Sequence, residues 1–95
     1  MKPKDIESFL NQSETELSTD PILAALWWDG KGNWNKAHDQ VDHLPGKDAA
    51  RVHAYLHRKE GDLWNADYWY RQAGIARPNQ SLEQEWESLV RYFLK

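Results

Sequence analysis

His53, His57 and Glu60 stand at i, i+4 and i+7, so a helix through them carries two imidazoles and a carboxylate on one face. Such a set can hold a divalent metal. The same spacing of two histidines occurs in zinc hydrolases, where a glutamate follows the first histidine and serves as base. Here that position is Ala54, so a hydrolytic centre on these residues lacks its base. A metal also needs a third or fourth ligand, for which His38 is a further candidate. Other acid–base chemistry is harder to place. Asp29, Asp39, Asp42, Glu60, Asp62 and Asp67 are frequent along the chain, but a working pair needs one buried acid opposite an ionised one. These positions read instead as helix caps or exposed faces. No serine occupies a nucleophile-elbow context and no glycine-rich phosphate loop is present. With no cysteine among the 95 residues, thiolate ligands, thiol nucleophiles and disulfides are excluded. Enzyme activity has little support; no catalytic residue, metal ligand or cofactor is assigned. The alternative kept open is a small metal-binding protein or metal-dependent hydrolase using His53, His57 and Glu60.

Composition narrows the partners. Twelve basic residues against fifteen acidic give a net charge of −3, the wrong sign for a protein that binds by neutralising phosphates, so nucleic acid is not an expected partner. No stretch has the length and apolarity of a membrane span. The first ten residues, MKPKDIESFL, lack the apolar run of a signal peptide. A cytoplasmic setting is the expectation. Six tryptophans, four tyrosines and two phenylalanines build a core from few positions, since each aromatic can bury roughly 150–250 Å².

The elements that would carry these residues are helices. Valine and isoleucine together number six and form no alternating run. Glycines and prolines divide the chain into helix-length segments. Asp20-Pro21 reads as an N-cap followed by proline at the first helical position. Ser81 to Gln84 fits a capping box, after which Trp86, Leu89, Val90, Phe93 and Leu94 form one apolar stripe. Asn33 and Asp62 follow glycines and read as N-caps. The pattern predicts helices near 4–12, 21–30, 33–44, 48–60, 63–74 and 82–94, with a polar loop over 11–19, in a single all-α domain spanning 1–95.

Two stretches superpose with Gly32 on Gly61. Asn33 then matches Asp62, Ala37 matches Ala66, Val41 matches Tyr70, Leu44 matches Ala73 and Ala25 matches Ala54. Each glycine permits the left-handed conformation that ends a helix, the next residue caps the following helix, and the alanines allow close approach of two antiparallel helices. Gly61-Asp62, Ala66, Tyr70, Ala73 and Pro78 resemble the tetratricopeptide repeat in residue type and spacing, although the copies lie 29 residues apart and that family's period is about 34. The stretch HAYLHRKEGDLWNADYWYRQAG is also similar to a family of small uncharacterised bacterial proteins. The resemblance implies two tetratricopeptide-like hairpins flanked by N- and C-terminal capping helices, with His53 and His57 matching Ala24 and Trp28 as packing in the seam. Trp27 then faces either the neighbouring hairpin or solvent.

In tetratricopeptide proteins one face of each first helix lines a concave groove, where basic residues can clamp a peptide carboxylate. Carried over to this chain, the resemblance makes Arg51, Tyr55, Arg58 and Lys59 the groove residues, with Leu26 and Asp29 from the first hairpin. Guanidinium groups suit that role because they grip a carboxylate with two parallel hydrogen bonds. The function this implies is a non-enzymatic protein-interaction module for an acidic peptide or a partner helix. Two hairpins are fewer than a repeat array usually needs, so an uncapped end would be shared in a homodimer.

Overall fold

Capped turns set the chain direction throughout the computed structural model, which describes residues 4–17 and 19–94. Seven helices form among them and no strand: α1 (Lys4–Asn11), α2 (Glu14–Leu17), α3 (Pro21–Gly30), α4 (Trp34–Val41), α5 (Lys47–Lys59), α6 (Leu63–Ala73) and α7 (Leu82–Phe93). The all-α expectation is met.

The glycine turns repeat atom for atom. Gly32 and Gly61 have φ of 87° and 90°, the left-handed region that side chains avoid. Across the first, Asn33 N donates to the Trp28 carbonyl at 2.9 Å; across the second, Asp62 N donates to the His57 carbonyl at 3.0 Å. The Asn33 and Asp62 side chains then accept from Lys36 N and Asn65 N, capping α4 and α6. Every partner in one turn is 29 residues from its counterpart in the other. Each turn folds its helix back on the preceding one, so α3 packs chiefly on α4 and α5 chiefly on α6. Ala25, Ala37, Ala54 and Ala66 are fully buried, which is how small residues let helices approach.

Differences from the expected map have local causes. Within the stretch expected to be a loop, α2 forms a single turn because Ser13 and Glu16 make a reciprocal cap: Glu16 N donates to Ser13 Oγ and Ser13 N to Glu16 Oε1, each at 3.3 Å. That seats Leu17 in the core. Ser18, within the same stretch, lies outside the described residues. Helix α4 stops at Val41, ahead of a turn in which Leu44 N donates to the Val41 carbonyl, and Pro45 prevents continuation. The capping box at Ser81 and Gln84 is formed.

Helix α7 decides the architecture. It packs on α3, α5 and α1 and buries Trp86, Leu89 and Val90. Its anchor is Trp86, whose indole N–H donates to the Leu26 carbonyl at 2.9 Å and whose ring meets Phe9 of α1 at 6.2 Å. Gly30 makes the fit possible: a Cβ there would lie 2.7 Å from Leu10 Cδ2 and 2.8 Å from Trp86 Cζ2. Trp27, whose direction the sequence left open, turns to the N-terminal segment, its indole donating to the Gln12 carbonyl at 3.1 Å. No helix among the described residues is long and apolar enough to cross a membrane.

Candidate functional site

The six residues expected to line a groove are brought together on α3 and α5, with Leu26, Asp29 and Tyr55 buried, Arg51 and Arg58 half-buried and Lys59 exposed, and the C-terminal helix packs against part of the strip. Leu26 is fully buried beneath Trp86. Asp29, only 4% exposed, accepts from the Tyr55 hydroxyl at 2.7 Å and from Lys59 Nζ at 2.8 Å. Burial first, and the Asp29 charge second, push the Tyr55 phenol far above its ordinary value of 10, so Tyr55 stays a donor. Arg58 reaches Glu85 of α7 at 2.7 Å and also donates to the Gln80 carbonyl. The second Glu85 oxygen accepts from the Tyr70 hydroxyl at 2.6 Å, whose phenol burial likewise drives upward. The Arg51 guanidinium lies over the Tyr92 ring, 4.9 Å from its centroid. Part of the strip's charge is held within the chain, Asp29 with Tyr55 and Lys59 between α3 and α5, and Arg58 with Glu85 of α7, while Lys59 stays exposed beside an open cleft lined by Asp29, Tyr55, Leu82 and Trp86. Glu85, carried by the amphipathic C-terminal helix, satisfies Arg58 within the chain.

A second cluster lies on the opposite side of α5, between α4 and α6. The spacing on α5 does place His53 and His57 on one face, both buried, and α4 adds His38. One nitrogen from each of the three histidines lies within 4.8 Å of the other two. His38 Nε2 and His53 Nε2 are 3.0 Å apart and share a hydrogen bond. Aromatic rings hold the imidazoles in place: Trp34 stacks on His38 at 4.8 Å and Trp69 on His53 at 4.2 Å. Burial, and then the facing charges of His38 and His57, lower the His53 pKa from 6.5 to about 4, so His53 is neutral near pH 7. Glu60 is not a third member of this set; it groups with His57 and Asp62 at the surface. His38 is the residue the helix-face argument on α5 could not supply. Its signal lies in α4, where Trp34, Ala37, His38 and Val41 form one stripe at i, i+3, i+4 and i+7.

The third feature is the outer face of α6. Trp64 is 80% exposed, Leu63 and Tyr68 of the same helix and Ile75 beyond its end are exposed too, and Asp67 pairs with Arg77 at 3.3 Å. Helix α7 engages α6 from the other side through Tyr70 and leaves this face uncovered. Comparison with protein-family models, curated proteins and solved structures finds no match.

Proposed function

We propose that the chain is a non-enzymatic, tetratricopeptide-like interaction module that docks an amphipathic partner helix or peptide on the outer face of α6. The observation that carries this reading is Trp64, a full indole at 80% exposure on a rigid helix. Exposed apolar side chains grouped on one ordered helix mark an interaction surface, and tryptophan is among the residues most enriched at binding hot spots. Tyr68 lies one turn along on the same face, and Arg71 adds an exposed cation suited to an acidic residue on the partner. The repeated turn geometry supports the family reading, because it supplies two equivalent helix–turn–helix units.

The test is a pair of substitutions, Trp64→Ala and Tyr68→Ala, in a capture assay with light scattering on the isolated chain. Both side chains are exposed, so the helical circular dichroism spectrum stays unchanged. Loss of a hot-spot residue worth about 2 kcal/mol weakens partner capture roughly 30-fold. If the face is shared by two copies, the same variants lower the mass in solution. Unchanged capture together with unchanged mass refutes the reading.

A further inference from the structure

The geometry points to a second binding site, independent of the α6 face: His38, His53 and His57 form a three-imidazole centre for a divalent transition-metal ion of the zinc class.

The cluster carries a cost of its own. Three imidazoles meet at the junction of α4 and α5 and share a single mutual hydrogen bond, between His38 and His53. His57 Nδ1 is buried with no hydrogen-bond partner; Glu60 Oε2 is 3.4 Å away, but not aligned to accept. A buried polar nitrogen without a partner is destabilising, whereas apolar side chains of similar size would pack there at no such penalty. An ion on the facing nitrogens would fix the His57 proton on Nδ1 and direct it to Glu60, giving that nitrogen the partner it lacks.

Distances and second partners fit that ligand. In a tetrahedral zinc site with bonds of about 2.0–2.1 Å, neighbouring nitrogens lie roughly 3.3 Å apart. His38 and His53 already stand at 3.0 Å, and all three donors fall within 4.8 Å, a gap that small rotations of the rings close. Behind the ligands, His38 Nδ1 faces Asp42 Oδ2 at 3.7 Å and His57 Nδ1 faces Glu60 Oε2. Carboxylates behind metal-bound imidazoles fix the tautomer and raise ligand basicity. The two carboxylates also offset a double positive charge. An all-nitrogen donor set selects zinc, cobalt, nickel or copper over magnesium and calcium. Among the described residues no fourth side chain joins the triad, so the remaining position falls to water or a small ligand. Because His38 belongs to α4 and the other two to α5, the ion would tie the two helix pairs together.

The test uses the untagged full chain and metal alone. Titration with Co²⁺ gives a tetrahedral visible spectrum saturating at one equivalent, and Zn²⁺ displaces it. In the unaltered protein, imidazole NMR signals of His38, His53 and His57 shift to completion at one equivalent, while His43, 70% exposed, does not. His38→Ala lowers affinity at least about 100-fold, and Glu60→Gln or Asp42→Asn lowers it roughly 10- to 100-fold. His43→Ala leaves it within about 3-fold, an order-of-magnitude allowance for a non-ligand. A hundredfold excess of Zn²⁺ over its Kd raises Tm by about 10 °C or more. Absence of saturable binding, or all four histidines shifting together in proportion to added metal, overturns the proposal. The NMR readout needs no substitution, so it stands even if His38→Ala does not fold.

Discussion

Replacing Arg58 with methionine keeps most of the side chain's length and removes its charge together with its hydrogen-bond donors to Glu85 and Gln80. In the parent, the Arg58 side chain is 17% exposed and its Glu85 partner 4%. Glu85 accepts one hydrogen bond from the guanidinium and one from Tyr70. The variant leaves a buried carboxylate facing a single neutral donor. Breaking a buried pair on one side costs about 3–5 kcal/mol; the partial exposure of Arg58 lets water reach the site and places the expectation near the lower bound, about 3 kcal/mol. At roughly 4–8 °C per kcal/mol for a domain of this size, Tm falls by about 12–24 °C. Urea unfolding followed by tryptophan fluorescence measures the difference. The double variant Arg58→Met/Glu85→Gln removes both charges and keeps an acceptor for Tyr70, and should recover about 2 kcal/mol of the loss. A solvated arginine at a helix end would instead cost under about 1 kcal/mol. A loss that small, or a double variant no more stable than the single one, would refute the assignment of Arg58 to the clamp on α7.

Two further outcomes follow from contacts already described. Gly30→Ala, which in an ordinary helix would be mildly stabilising, should here destabilise by about 1–3 kcal/mol in urea unfolding, because the new methyl meets the fixed ring of Trp86; a gain in stability would mean that α1 and α7 are not seated on α3. Tyr55 and Tyr70 ionise near 10 when unfolded but well above it when folded. Their contribution is thus complete below pH 10 and is lost as pH rises beyond it, at up to about 1.4 kcal/mol per pH unit for each tyrosine. Urea midpoints at rising alkaline pH check this, and Tyr55→Phe/Tyr70→Phe should flatten the decline.

Local structure was the legible part of the sequence. The turns at Gly32 and Gly61 could be read because glycine conformation and Asn33 or Asp62 capping act within four residues. The same logic applies to α2, whose Ser13–Glu16 pair is a capping box inside an otherwise polar stretch. The destination of α7 was not legible. Its stripe, Trp86 to Leu94, says that one face is apolar but not which surface it will cover, and the deciding pair, Arg58 with Glu85, is separated by 27 residues. A basic strip looks the same whether it awaits a partner or a later segment of its own chain. The histidine centre shows the same limit: helical spacing places His53 beside His57, while the third imidazole comes from another helix, 15 residues earlier.

Phe9 resting on Trp86 has a consequence for the order in which this chain matures. The middle helices can pair as they emerge during synthesis, since their contacts are local and quick to form. The aromatic clasp joins segments 77 residues apart and must await the emergence of α7. Until then the apolar side of α3 has only part of its cover, and nascent chains are exposed to association through it.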